Sequence, residues 1–123
     1  MRIVPIASTS LQVQFASSAG GAVGTWRGSP RPPLGEPVDV EFTVQAELRW
    51  ADTLAAVEPG FAIEGNRICI RGRVDAIDEL GVATLDVAGA TLLVEFADAP
   101  PVGAVGAIFE LPETPLEICP TGV

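Results

Sequence analysis

Residues 38–48 alternate without interruption between apolar and polar side chains. The apolar positions are Val38, Val40, Phe42, Val44, Ala46 and Leu48, and between them stand Asp39, Glu41, Thr43, Gln45 and Glu47. Because successive side chains of a β-strand point to opposite faces, this pattern predicts a strand with one apolar face and one mostly acidic face. The run is long for a strand, so we expect it to bend across a small barrel or sandwich.

Further strand patterns follow at short spacing and are separated by turn residues. They cover residues 61–63, 67–77, 82–88, 90–96, 104–111 and 116–119. This spacing predicts an antiparallel meander. The expected fold is an all-β, small, partly closed antiparallel barrel, OB-like or SH3-like, of about six to eight strands. At most one short helix is expected, over residues 52–60, where Pro59 and Gly60 would end it.

The length of 123 residues predicts a single β-barrel domain, 1–123, with the barrel over residues 38–119. Residues 1–16 hold two strand patterns, which predict an N-terminal strand or hairpin packed on the barrel. Residues 17–37 are rich in glycine, serine and proline and are expected to form a flexible loop. A proline-rich ligand segment in extended form is the alternative for that region.

Four short segments carry a resemblance at the level of fold. Residues 72–74, 81–85, 92–95 and 101–105 follow one another with glycines at the turns, as Gly72-Arg73-Val74 and Gly81-Val82-Ala83 illustrate. This spacing resembles the meander of small OB-fold-like barrels over residues 38–119. The resemblance implies the architecture and little about activity, because many unrelated functions share it.

The charge balance limits the classes of partner. Sixteen acidic residues face seven basic ones, all arginine, and the net charge is −9. Nucleic acids bind through cationic neutralisation of phosphates, and anionic membranes also attract basic surfaces, so neither is expected as a partner. The charge suits solubility alone, or electrostatic steering toward a basic protein.

The residue types that are missing argue against enzymatic activity. The chain has no histidine, lysine or tyrosine. These residues supply the usual bases near neutral pH, the Schiff-base amine and the phenolic acid, so we expect no enzyme, no cofactor and no metal site. A carboxylate pair or a carboxylate-bound hard cation stays open, and the turn with Asp75, Asp78 and Glu79 is either a weak cation site or a solvated turn.

Residues 67–75 place three arginines on one strand face. Alternation puts Arg67, Arg71 and Arg73 together with Cys69, in an otherwise acidic chain. The face is either a stripe that binds an anion or single-stranded nucleic acid, or a set of cross-strand ion pairs with residues such as Glu41, Glu47 or Asp86. Cys69 and Cys119 are expected as reduced buried thiols, with a disulfide between them as the alternative.

Two apolar side chains are predicted to point out of the barrel, Leu93 and Ile108. Leu92, Val94, Phe96, Val105, Ala107, Phe109 and Leu111 would fill the interior. Outward apolar residues on neighbouring strands need a cover, and the N-terminal hairpin and a second subunit in a homodimer are both open.

These observations predict a non-enzymatic acidic module that binds a protein, such as an inhibitor or immunity-type protein for a basic partner. The expected contact residues are Asp39, Glu41, Glu47, Leu93 and Ile108. The alternative function is binding of single-stranded nucleic acid or a small anionic ligand through Arg67, Arg71 and Arg73. The N-terminal segment lacks the unbroken apolar run of a signal peptide, which predicts a cytoplasmic location.

Overall fold

A computed structural model describes residues 1–28 and 30–121, so Ser29 of the predicted 17–37 loop and the last two residues of the predicted domain lie outside it. Over these residues the protein is all-β, as predicted, with eleven strands, one short 3-10 turn and no α-helix. The strands are β1 (Arg2–Thr9), β2 (Gln12–Ser17), β3 (Ala22–Trp26), β4 (Val38–Val44), β5 (Leu54–Ala55), β6 (Gly60–Glu64), β7 (Arg67–Ile77), β8 (Val82–Val87), β9 (Ala90–Glu95), β10 (Ile108–Glu110) and β11 (Leu116–Pro120).

Five strands form a sheet that closes on itself in the order β1-β2-β3-β11-β4, with β4 returning to β1. All neighbours are antiparallel except β3 and β11, which run parallel. Five is also the strand number of OB-fold barrels. The N-terminal hairpin is therefore part of the closed sheet, whereas the sequence predicted it to be packed on the outside.

Strand β3 lies inside the region that was predicted to be a flexible loop. A side chain at Gly24 would lie 2.8 Å from the Ile118 side chain, so β3 needs a glycine where β11 approaches it. A glycine in a strand can mark such a close approach of two chain segments. The prediction of a flexible loop is therefore wrong over Ala22–Trp26, because these residues pair with β2 and β11.

The other strands form a second sheet in the order β5-β10-β7-β8-β9, and β6 pairs with the first half of β7. The long strand predicted over residues 67–77 is confirmed. The OB-like resemblance was placed on residues 38–119, but its four segments lie in this second sheet and its loops. Of the strands in that range, only β4 and β11 belong to the closed sheet.

Two local predictions are wrong. The expected helix over 52–60 is a 3-10 turn at Trp50–Asp52, followed by β5, because Leu54 and Ala55 pair with β10. The expected strand over 104–111 is reduced to β10. The N–H of Ala107 donates to Ala104 O at 3.0 Å and closes a turn there. Val105, predicted to be interior, is consequently exposed.

The alternation of β4 is confirmed by burial. Val40, Phe42 and Val44 are buried, whereas Asp39 and Glu41 are exposed. In the core the Phe42 ring lies 5.4 Å from the ring of Phe15 and 5.1 Å from the ring of Phe61 between centroids. Phe61 belongs to the second sheet, so this aromatic cluster packs the two sheets together. Leu92, Val94, Phe96 and Leu111 are also buried, as predicted.

Backbone hydrogen bonds join the sheets at two places. At the first, the N–H of Phe61 donates to Ala19 O at 2.7 Å. At the second, the N–H of Leu48 donates to Glu95 O at 2.9 Å, and the N–H of Ala97 donates to Leu48 O at 2.8 Å. Both junctions are parallel bridges, Gly20 with Phe61 and Leu48 with Phe96.

Asp98 stabilises the chain beside the second junction. Its carboxylate accepts the backbone N–H groups of Trp50 at 2.6 Å and Ala51 at 3.0 Å, which begin the 3-10 turn. Trp50 in turn stacks on Phe96 with ring centroids 3.8 Å apart. Desolvation raises the pKa of Asp98, but the hydrogen bonds from these N–H groups and from its own N–H, together with the charge of Arg49, outweigh it and hold the pKa below its usual value.

Within the described residues, no helix has the length and apolar character to cross a membrane.

Gly20→Ala is expected to destabilise the first junction. Gly20 has φ +111°, and an added Cβ would lie 2.0 Å from Phe61 O. Gly103→Ala is the matched control, because Gly103 also has positive φ, +77°, but no atom within 4 Å of an added Cβ. We expect the control to lose about 1 kcal/mol and Gly20→Ala clearly more, at least about 2 kcal/mol, in urea unfolding. Equal losses would contradict the importance of the close contact.

Asp98→Asn is expected to lower the unfolding midpoint at neutral pH. Because the pKa of Asp98 is depressed in the folded protein, its charge stabilises the fold above the unfolded pKa of about 3.9 and loses this effect as the pH falls through the folded pKa. The difference between wild type and Asp98→Asn should therefore be largest above about pH 5 and narrow below pH 4. A difference that does not depend on pH, measured by thermal unfolding, would refute this assignment.

Candidate functional site

Most acidic side chains have no basic partner. Five of the sixteen carboxylates form ion pairs with arginine, namely Asp39, Glu64, Asp86, Glu110 and Glu117. In the part of the chain that the structure describes, the other eleven have no arginine nitrogen within 4 Å. Asp78 and Asp98, two of these eleven, accept hydrogen bonds from backbone N–H groups instead. Much of the negative charge that is left lies at the surface, where it can interact with another molecule.

The three acids predicted for protein contact differ in their surroundings. Asp39 accepts a hydrogen bond from Arg2 Nε at 3.2 Å, and this bond and the charge of Arg2 lower the pKa of Asp39. Glu41 is exposed on the outer face of β4 without such a partner. Glu47 is exposed beyond the end of β4, next to the Leu48 junction. Glu41 and Glu47 are therefore the members of this set that keep an uncompensated charge.

A groove with a volume of about 490 Å³ lies between β4 and β9. Its side-chain lining includes one acid, Glu41, and no arginine. The residues that line it are Met1, Val40, Glu41, Phe42, Thr43, Gly89, Ala90, Thr91 and Leu93. The two strands run in the same direction. The Leu48–Phe96 bridge joins the chain segments that follow their C-terminal ends. In the described residues no backbone hydrogen bond links β4 to β9 directly, so the groove lies between two strands that pack side by side without pairing.

Strand β9 forms one side of this groove with an open edge. It pairs with β8 only, and Glu95 O and Ala97 N bond to Leu48 on the side away from β8. Alternate residues of a strand direct their N–H and C=O groups to the same side, so those of Thr91 and Leu93 also face away from β8. Among the described residues, no backbone group bonds to Thr91 or Leu93 on that side.

Leu93 and Ile108 are not brought together. Leu93 lies on β9 with 58% of its surface exposed, as predicted. Ile108 is half-buried on β10, and β7 and β8 separate the two strands. The prediction that the two residues share neighbouring strands is wrong, because the chain between them crosses the sheet before it forms β10. Leu93 alone belongs to the groove.

Arg71 is held by two carboxylates. Its Nε lies 2.8 Å from Glu110 Oε1, and its Nη2 lies 2.8 Å from Glu64 Oε2. The hydrogen bonds that Arg71 donates to Glu64 and Glu110 raise the pKa of Arg71, and the one to Glu64 lowers the pKa of that carboxyl. The prediction that Glu41 and Glu47 pair with the arginines of β7 is wrong. Glu41 lies on β4 in the other sheet, and Glu47 lies just beyond the end of that strand.

The remaining arginines of this face are more exposed. Arg73 lies 4.0 Å from Asp86 on β8, which confirms the one predicted cross-strand partner that lies in the same sheet. Arg67 is exposed and stands opposite Glu64 in the β6–β7 pairing. The arginines of β7 therefore lie next to carboxylates. Arg71, the central one, has Glu64 and Glu110 within hydrogen-bond distance.

The acidic turn between β7 and β8 uses a carboxylate to hold the backbone. Asp78 Oδ1 accepts N–H groups from Leu80 at 2.8 Å and from Val82 at 2.9 Å. No cluster of three or more potential metal-ligating side chains occurs among residues 1–28 and 30–121. Asp78 therefore has a structural contact of its own, of the kind that stabilises turns.

Both cysteines are free thiols. Cys69 is buried on β7, and desolvation raises the pKa of its thiol. Cys119 is half-buried on β11 in the closed sheet. A raised thiol pKa disfavours the reactive thiolate, so Cys69 has the environment of a core residue.

Comparisons with protein-family models, with curated proteins and with solved structures find no match for this chain. What the groove and the unpaired edge of β9 can bind is therefore inferred from their geometry alone. Nothing in the sequence of Ala90–Glu95 indicates that this strand lies at the end of the sheet, because most strands of this lysine-free chain also lack proline.

Arg71→Met is expected to destabilise the protein by about 1 to 3 kcal/mol, because Glu110 loses its partner while only 16% exposed. Arg67→Met, at an exposed position, should change stability by less than about 0.5 kcal/mol in the same urea titration. We expect neither substitution to change the fluorescence anisotropy of a labelled single-stranded oligonucleotide at low salt. An oligonucleotide that binds wild type and is released by Arg71→Met would support the nucleic-acid alternative.

Proposed function

We propose that this protein is a non-enzymatic module that holds a basic protein partner on its acidic surface. The observation that carries the proposal is the set of eleven carboxylates that have no arginine nitrogen within 4 Å in the described part of the chain. Glu41, Glu47 and Glu95 belong to this set: Glu41 lines the groove between β4 and β9, and the other two are exposed next to the Leu48–Phe96 bridge. Complementary charge accelerates encounter and selects among partners, so such a surface favours a basic protein.

An inhibitor of the immunity type, which neutralises a basic toxin, is one form that such a module takes. It requires no catalytic group, in keeping with a chain that has no histidine, lysine or tyrosine. The two free thiols suit a reducing compartment such as the cytoplasm, which is where we place its action.

The alternative, an anion or nucleic-acid site at Arg67, Arg71 and Arg73, has less support. The guanidinium of Arg71 already contacts Glu64 and Glu110, and Arg73 faces Asp86. A phosphate would have to displace these carboxylates or be repelled by them. The homodimer also loses part of its argument, since Leu93 and Ile108 do not form one apolar patch.

The test compares two triple variants that remove the same charge at different places. Glu41→Gln, Glu47→Gln and Glu95→Gln neutralise the groove region, whereas Glu58→Gln, Glu79→Gln and Glu113→Gln neutralise exposed acids elsewhere. Wild type and both variants serve as baits for a cell lysate from the source organism. Bound proteins are eluted with rising salt from about 0.05 to 0.5 M and quantified by mass spectrometry.

We expect a basic protein to be enriched on wild type and on the distant triple variant, and reduced at least about tenfold on the groove variant, equivalent to about 1.4 kcal/mol. Equal loss from both variants would mean that net charge alone attracts the protein. That result, or a wild-type bait that enriches no basic protein, would overturn the proposal.

A further inference from the structure

We propose that residues 30–34 are a second interaction site, an extended proline-rich ligand for a protein with an aromatic-lined groove. This site is independent of the proposed function, because it uses none of the glutamates near β4 and β9. Its sequence, Pro30-Arg31-Pro32-Pro33-Leu34, places two prolines three residues apart, at 30 and 33. Aromatic-lined grooves recognise proline pairs at this spacing when the segment adopts the polyproline II conformation.

The backbone of the segment is restricted to extended conformations. Proline fixes its own φ at about −65° and disfavours the helical region for the residue before it. Three of the five residues are prolines, and Arg31 and Pro32 each precede one. Among the described residues, no other backbone group forms a hydrogen bond with the backbone of residues 31–34. A polyproline II helix likewise has no internal hydrogen bonds and a solvated backbone.

The exposure of the side chains follows the three-residue period of a polyproline II helix. Residues i and i+3 of such a helix lie on the same side. Pro30 and Pro33 form one such pair, Arg31 and Leu34 form the next, and all four residues are exposed. Pro32, alone on the third side, is half-buried. The segment therefore rests on the protein by its Pro32 side and presents the other two sides to solvent.

Hydrogen bonds to the closed sheet hold the segment at both ends. Trp26 on β3 donates its Nε1–H to Pro30 O at 3.3 Å. The N–H of Gly35, just after the segment, donates to Pro5 O on β1 at 2.7 Å. Neither bond uses a side chain of the segment. A ligand segment that is already held in an extended form loses less conformational entropy when it binds.

Arg31 and Leu34 specify further what the partner must offer. Arg31 is exposed, and in the part of the chain that the structure describes no carboxylate oxygen lies within 4 Å of its guanidinium. Arg27, the other arginine near the segment, already pairs with Glu117. Leu34 has 54% of its surface exposed. The partner therefore has apolar, aromatic side chains for the prolines and Leu34, and a carboxylate beside them for Arg31.

A second copy of this chain does not supply such a groove. The chain has five phenylalanines, two tryptophans and no tyrosine, and the structure describes all seven aromatic residues. Six of them are buried, namely Phe15, Trp26, Phe42, Trp50, Phe61 and Phe96. The seventh, Phe109, is half-buried and packs edge-on against Trp50. Because none of the aromatic rings is exposed, the partner is a different protein.

The experiment measures binding of the full-length protein to three purified probes, an SH3, a WW and an EVH1 domain, all of which bind proline-rich segments in aromatic-lined grooves. Each probe is labelled with nitrogen-15 and titrated with unlabelled protein up to about 1 mM, so that dissociation constants weaker than micromolar are measurable. The chemical-shift changes of the probe report both its affinity and whether its groove is the contact site.

Two proline variants separate this segment from another proline-rich loop. Pro33→Ala removes the second proline of the pair at 30 and 33. Pro101→Ala is the matched control, because Pro101 is exposed and follows a proline as Pro33 does, but has Asp98 in place of a proline three residues before it. Unfolding midpoints in urea are compared for all variants, and should Pro33→Ala fail to fold, Pro30→Ala tests the same pair.

We expect at least one probe to bind wild type through its aromatic groove. Pro33→Ala should weaken this binding at least about fivefold, whereas Pro101→Ala should stay within about twofold of wild type. Arg31→Gln should weaken it about two- to fivefold, because an exposed ion pair contributes little. A wild-type protein that binds none of the probes, or equal affinities of Pro33→Ala and Pro101→Ala, would overturn the inference. Neither result bears on the proposed function, which the glutamate baits test separately.

Discussion

Every β-strand leaves a row of N–H and C=O groups along each side, and this protein covers most of those rows with its own chain. Five strands do so by closing into one sheet. In the second sheet, Ala19 covers part of β6 and Leu48 covers the end of β9. An unpaired buried backbone group has a free-energy cost comparable to a lost hydrogen bond, so these junctions decide how the sheets can be placed. Among the described residues, the first part of the β9 edge is one stretch whose backbone groups stay without a hydrogen-bond partner.

Unlike the backbone groups, most of the charged side chains have no partner within the described part of the chain. Ion pairs form where strand register brings arginine and carboxylate together, as Arg71 meets Glu110 across β7 and β10. The other acids stand on turns and outer faces where the seven arginines do not reach. The excess negative charge is therefore distributed over much of the surface, and Glu41 brings part of it to the groove between β4 and β9.

The pattern of alternate residues predicted most of the individual strands, because side-chain direction in a strand is a local property. The bounds of β7 and the buried positions Leu92 and Val94 were predicted in this way. Strand β3 was missed because it is short and lies in a region whose glycine, serine and proline content indicates a loop. The helix expected after Asp52 was replaced by β5, because pairing with β10 outweighs weak local helix signals.

The candidate site was predictable in part. The outward direction of Asp39, Glu41, Glu47 and Leu93 follows from alternation, and the structure has all four exposed. The groove itself was not predictable, because it lies between strands that are about fifty residues apart in sequence. For the same reason the partners of Arg71 were misassigned, since Glu64 and Glu110 reach it only through the order of strands in the sheet.

The sequence by itself determined an all-β protein, strongly acidic, with β4 apolar on one face and without the side chains of common catalytic sites. Only the tertiary structure decided which strands close into a ring, which arginines are neutralised and which strand edge stays open. The physical reason is that side-chain alternation repeats every two residues in any strand, whatever its neighbours. Strand pairing depends instead on hydrogen bonds between distant segments, and these are fixed only when the whole chain packs.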